Sequence, residues 1–304
     1  MGIFEGHFRL AEGVDIPAVG FGTYLVAPEA ASDAVRTAIS LGYRHVDTAA
    51  IYANELEVGA GIRVGMAETG LRREDLFVTT KLWPGMAEWG DTPKNRAGTL
   101  AAFDESLAKL GLDYVDLYLI HSPHGGTERL AQWDALVEIK RSGRARSIGV
   151  SNYGIAHLDE IRAAELAVPD ANQIELHPWS QKPQLVSYMT KHGISPIAYS
   201  SLAPLSTWRI EPGQDSAKTE AMRSETAVFA ELAAHYGVSE AQLLLRWGLE
   251  KGYAVLPKSL NPDRMRANID LGGFAISEAD MMRLAAMDRG DGLAWSTGDP
   301  SRAD

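Results

Sequence analysis

Four residues in this chain could together perform acid–base chemistry on a carbonyl group. Asp47, Lys81 and His121 each close a short apolar run, at 43–47, 76–81 and 115–121, and Tyr52 follows Asp47 by five residues. Taken singly, Tyr52 reads as a helix-end aromatic and His121 as a partly buried histidine. Four such groups at adjacent strand ends are harder to explain by packing, because Asp and Lys are almost never buried unpaired. Reduction of a carbonyl needs a hydride from a positioned cofactor and a proton for the oxygen as charge builds there. Tyr52 can supply the proton, but a phenol ordinarily titrates near about 10. A Lys81 ammonium about 4 Å away would favour the phenolate by about 4 kcal/mol at an effective dielectric of 20. That lowers the expected pKa of Tyr52, although desolvation opposes it. Asp47 would keep Lys81 charged and oriented, and His121 would donate to the carbonyl oxygen.

These residues need a scaffold that brings strand ends together, and the chain alternates apolar runs with amphipathic stretches. Strands are expected at 18–23, 43–47, 76–81, 115–121, 147–151, 171–175, 195–199 and 254–257. Helices are expected between them, among them 32–41, 55–67, 96–110, 128–142 and 156–166. In 96–110, Leu100, Phe103, Leu107 and Leu110 recur at three- and four-residue spacing and form one stripe. Gly42, Gly111, Gly143, Gly193 and Gly237 mark helix ends. Near-continuous apolar strands suit a parallel sheet covered on both faces. Eight of them, alternating with helices, favour a closed (β/α)8 TIM barrel of α/β class over a doubly wound sheet. A Gly-x-Gly-x-x-Gly turn is missing after the first strand, where Gly20-Phe21-Gly22-Thr23 stands. Residues 8–17 read as a short hairpin closing the barrel bottom, and 205–224 as the one long loop. No linker divides residues 1–304, which are expected to form a single domain.

The 304 residues carry 29 Lys and Arg against 40 Asp and Glu, a net charge of −11. That balance argues against nucleic acid and anionic membranes as partners, while leaving room for a local cationic site. The absence of cysteine removes disulfides, thiolate nucleophiles and Cys-ligated metals. Residues 1–10 lack the apolar core of a secretion signal, and no apolar run approaches the ~20 residues of a membrane span. A cytoplasmic monomer acting on a small-molecule carbonyl is the expectation.

Several motifs extend this reading. Gly42-Tyr43-Arg44-His45-Val46-Asp47-Thr48-Ala49 with Tyr52, Thr79-Thr80-Lys81-Leu82-Trp83 and Asp116-Leu117-Tyr118-Leu119-Ile120-His121 resemble the aldo-keto reductase family. So do Gly149-Val150-Ser151-Asn152-Tyr153, Asn172-Gln173-Ile174-Glu175-Leu176-His177-Pro178 and Leu256-Pro257-Lys258-Ser259. The resemblance covers nearly the whole chain. It implies a (β/α)8 barrel holding NAD(P)H in extended form across the strand ends, with Tyr52 as general acid, tuned by Lys81 and Asp47. It also implies that Ser151, Asn152 and Gln173 hold the nicotinamide carboxamide and that Tyr199 stacks on the ring. Gly22, Thr23, Ser200 and Leu202 would line the cofactor path. Lys258, Ser259, Asn261 and Arg264 match the 2′-phosphate site, where Asn261 can cap a helix beginning at Pro262. Their charges favour NADPH over NADH. Asn268 would meet the adenine without the Glu that relatives often carry at the position of Ala267.

The substrate wall is expected to draw on Tyr24, Trp83, Trp89, Trp208 and Trp295. Ser122 stands where many relatives place Trp, which suggests a roomier pocket. Three alternatives stay open: an NAD-preferring dehydrogenase working in the oxidative direction, a non-catalytic nucleotide-sensing relative, and a metal-dependent hydrolase using His121, Glu175 and His177. The first differs by cofactor preference, and the second is disfavoured by the intact tetrad.

Overall fold

The computed structural model describes residues 2–11, 13–206, 226–290, 292, 294–295 and 298–303. Two antiparallel strands, β1 (His7–Ala11) and β2 (Val14–Pro17), form the expected hairpin. Eight parallel strands follow in chain order: β3 (Phe21–Gly22), β4 (His45–Asp47), β5 (Phe77–Leu82), β6 (Val115–Ile120), β7 (Ala145–Ser151), β8 (Ala171–Glu175), β9 (Ser195–Tyr199) and β10 (Ala254–Val255). The first and last strands meet. Val19 bridges Val255 in parallel, Gly20 N donates to Val255 O at 2.8 Å, and Gly22 N donates to Pro257 O at 3.1 Å. This seam closes the sheet into the (β/α)8 barrel.

Alternation along each strand sorts the side chains into two cores. Phe77, Leu117, Leu119, Ala171, Ile197, Ala254 and Leu256 point inward, joined from below by Leu10, Val14 and Ile16 of the hairpin. Val46, Val78, Tyr118, Ile120, Ile174 and Ala198 point outward against the helices. The hairpin therefore seals the end where the strands begin, and the reactive groups lie at the other end.

Helix Arg96–Leu110 has the bounds its stripe predicts, with Phe103 and Leu110 fully buried. Helix Pro28–Ser40 starts earlier than expected because Pro28 takes the first turn, where its missing N–H is harmless. Helix Ile155–Ala163 ends sooner than 166. The outermost strands are shorter than expected, since residues 18–20 and 256–257 are spent on the seam. All five glycines read as helix stops have positive φ, from 64° to 107°. Most of the 205–224 loop lies outside the described residues.

Candidate active site

Asp47, Lys81 and His121 sit at the ends of β4, β5 and β6 because their positions share the inward parity of the strands. Lys81 is fully buried. Its Nζ donates to Asp47 Oδ1 at 2.5 Å and to Thr48 O at 2.9 Å. The other Asp47 oxygen accepts from Gln173 Nε2 at 2.8 Å. Tyr52 ends a 3-10 turn (Ala50–Tyr52) that is reversed by Ala53 in the left-handed region. The Lys81 ammonium lies 5.2 Å from the centre of the Tyr52 ring, and the His121 ring meets Tyr52 edge-on at 5.5 Å. The four groups therefore converge.

The electrostatics reverse one expectation. Burial pushes the Tyr52 phenol well above its ordinary value, and the Asp47 carboxylate pushes the same way. Lys81, paired with Asp47 and 5.2 Å from the ring centre, does not overcome these effects. Burial lowers the Lys81 ammonium too, with Asp47 holding it up. His121 falls well below 6.5 through burial and the nearby Lys81, so its ring is neutral at pH 7. Its Nδ1 has no partner among the described residues. A neutral imidazole still carries one N–H that can reach a carbonyl oxygen.

A cavity of about 630 Å³ opens above these groups, lined by Asp47, Tyr52 and His121 at one end and reaching Lys258. Gly22, Ser151, Asn152, Gln173, Tyr199, Ser200 and Leu202 also line it. Ser151, Asn152 and Tyr199 are tied to the strand ends and to one another. Ser151 Oγ donates to Gln173 O at 2.7 Å, Asn152 Nδ2 to His121 O at 2.9 Å, and the Tyr199 hydroxyl to Asn152 Oδ1 at 2.6 Å. Thr23 does not reach the wall; it is buried with Oγ1 donating to Asp47 O at 3.1 Å, and so supports the strand end. Asn261 caps helix Pro262–Ile269 as its sequence implies, accepting from Asp263 N at 2.9 Å and Arg264 N at 3.1 Å. Lys258, Asn261 and Arg264 are exposed, Ser259 partly so, and Asn268 is buried; of the five only Lys258 lines the cavity. Among the described residues neither Lys258 nor Arg264 forms an ion pair, and the Ser201 hydroxyl on the cavity wall has no partner. Unpaired cations, an orphaned hydroxyl and an amide cluster fit a dinucleotide carrying phosphate at one end and a carboxamide at the other.

Of the expected substrate residues, Tyr24, Trp83, Trp89 and Trp295 line the cavity, and Trp208 lies outside the described residues. Ser122 is buried off the wall, its Oγ 2.9 Å from His124 Nδ1. It affects the pocket through His124, whose ring lies 5.9 Å from Trp295. Leu25, Ile51, Ala203, Ser206 and Ala294 also line the space. They carry no chemistry that sequence spacing could flag. Asn54 is another residue that the spacing did not single out. Buried after the left-handed Ala53, it donates to Thr23 O and Val26 O and so ties the Tyr24 loop to the Tyr52 turn. Among the described residues no group of three or more His, Asp or Glu side chains has metal-binding geometry; Glu175 and His177 instead pair at 2.9 Å.

A barrel with this tetrad at its strand ends defines a class of oxidoreductase, and similarity to known proteins narrows it. The family model for the "Aldo/keto reductase family" matches residues 18–289. Morphine 6-dehydrogenase of Pseudomonas putida is 41% identical over 93% of this chain and 91% of its own length. Glyoxal reductase of Bacillus subtilis is 36% identical over 92% of each. An aldo-keto reductase of Bombyx mori, solved in complex with NADP, superposes with a TM-score of 0.83 at 34% identity, covering 95% of this chain and 94% of that one. The chain belongs to the aldo-keto reductase family.

Proposed function

We propose that the protein reduces aldehydes or ketones to alcohols with NADPH. The observation that carries this reading is the Tyr52 hydroxyl at a cavity end shared with the Asp47–Lys81 pair and neutral His121, with Lys258 lining the same cavity. The cofactor would supply hydride to the carbonyl carbon. His121 would orient the carbonyl oxygen through its N–H, and Tyr52 would pass its proton to that oxygen as charge develops. Asp47 and Gln173 would hold Lys81 in place beneath the phenol. Ser151 and Asn152 would hold the carboxamide, with Tyr199 against the ring. Lys258, Asn261 and Arg264 would receive the 2′-phosphate, where the capped helix start adds its dipole. The NADP complex of the Bombyx mori relative supports the cofactor choice. The same groups serve alcohol oxidation in reverse, the direction for which the Pseudomonas putida relative is named.

The test is nucleotide consumption with an aromatic aldehyde, run with NADPH and NADH side by side. NADPH should be preferred, and Lys258→Met should cut that preference by about tenfold or more, the value of one charge-assisted contact. Tyr52→Phe should lower turnover by roughly 100- to 10,000-fold while leaving the nucleotide Kd within about twofold. Retention of most activity in that variant would refute the acid assignment.

A further inference from the structure

The substrate end of the cavity is walled by aromatic rings, of which Tyr24 and Trp89 are exposed, Trp295 partly so, and Trp83 buried behind Trp89. Trp89 is 54% exposed and Tyr24 46%. Trp83 stacks on Trp89 with ring centres 5.6 Å apart and 20° between planes. Trp83 also meets the edge of His121 at 5.9 Å, and Trp295 approaches His121 from another side at 6.5 Å. Aromatic faces carry partial negative charge. Two carboxylates reinforce it. Trp83 Nε1 donates to Asp91 Oδ2 at 2.6 Å, which pushes electron density into the indole. Burial lowers the His124 pKa, and Glu88, in the turn Ala87–Trp89, opposes that shift with its negative charge. Positive charge is scarce here. Among the described lining residues Lys258 is the only Lys or Arg, and Lys81 is neutralised by Asp47. The net charge of −11 adds a long-range pull on cations.

We infer that the substrate end selects carbonyl compounds bearing an alkylammonium group, held against the faces of Tyr24, Trp89 and Trp295 by cation–π attraction, with Trp83 backing Trp89. This rests on the carbonyl-reduction reading and names the substrate class for it. A wall that was merely apolar would favour a neutral group of the same shape, because a charge loses more hydration on entry. A wall of ring faces reverses that order.

The experiment compares two aldehydes of one shape, 4-(trimethylammoniomethyl)benzaldehyde and 4-neopentylbenzaldehyde. The ammonium still withdraws electrons through the methylene and activates the carbonyl, so the Kd ratio, which does not depend on that activation, decides the outcome. Their Kd values are measured on the nucleotide-free enzyme by calorimetry, and their kcat/KM values with NADPH. The cation is expected to bind about 2- to 30-fold more tightly, the span of a cation–π contact from exposed to desolvated. Trp89→Leu keeps apolar contact but removes one ring face, and should at least halve that ratio. Equal or weaker binding of the cation overturns the inference, as does an unchanged ratio in Trp89→Leu. If neither aldehyde is reduced, the reductase reading fails, and the Kd ratio still decides whether the rings select cations.

Discussion

Tyr52 keeps its proton because burial and Asp47 both disfavour the phenolate. The sign of the pH dependence follows. Reduction uses the protonated phenol, so its rate should stay level from pH 6 up to about 10, the ordinary phenol value, which the raised group exceeds. Oxidation needs the Tyr52 phenolate to accept the alcohol's proton, so its rate should climb with pH over the same range. His121, held neutral, should add no inflection near 6.5. Profiles of kcat/KM in both directions check this, and a fall in the reduction rate between pH 7 and 9 would contradict it. The tetrad was legible in the sequence because each member closes an apolar run at a position of common parity. The direction of the Tyr52 shift was not, since it depends first on how deeply the phenol is buried and then on how close it lies to Asp47, neither of which spacing in the sequence reveals. The placement of Ser122 was equally hidden: its neighbour in sequence lines the cavity, while its own side chain turns away to His124.

Helix Glu55–Thr69 begins with a carboxyl buried between elements. Glu55 is 2% exposed, and it accepts from Thr80 Oγ1 of β5 at 2.6 Å and from Ser106 Oγ of helix Arg96–Leu110 at 3.2 Å. Burial raises its pKa against the lowering effect of these hydroxyls. A raised folded-state pKa contributes stability that is complete below the unfolded value of about 4.3 and lost as pH climbs through the folded one. Glu55→Gln keeps the shape and a carbonyl acceptor without the titration. Its urea midpoint relative to the unsubstituted protein should therefore be higher at pH 8 than at pH 5, and a midpoint difference that does not change with pH would rule the account out. Helix existence was readable from periodicity and glycine stops. Helix ends were less so, as at Pro28, where the first turn precedes the apolar stripe. Trp208 and most of its loop remain beyond what the described residues can report.

At the scale of the whole molecule, the barrel depends on its seam. Gly20 lies there, and a Cβ at that position would sit 2.4 Å from His45 Nδ1 and 2.7 Å from Leu256 Cδ2. Gly20→Ala should destabilise the fold by about 1–3 kcal/mol, the usual cost of forcing a methyl into a packed interior, read as a drop in Tm. An unchanged Tm would mean that the seam has slack. Eight strand–helix alternations made the barrel legible, while the seam itself was hidden by the shortness of β3 and β10. Its consequence reaches into the order in which the protein is made. Val19 emerges from the ribosome 236 residues ahead of its partner Val255 (255 − 19). Throughout that interval the growing sheet has two bare edges, the kind of surface that pairs with other chains. Everything from Val19 through Val255 must therefore be made before this protein can shield itself from its neighbours.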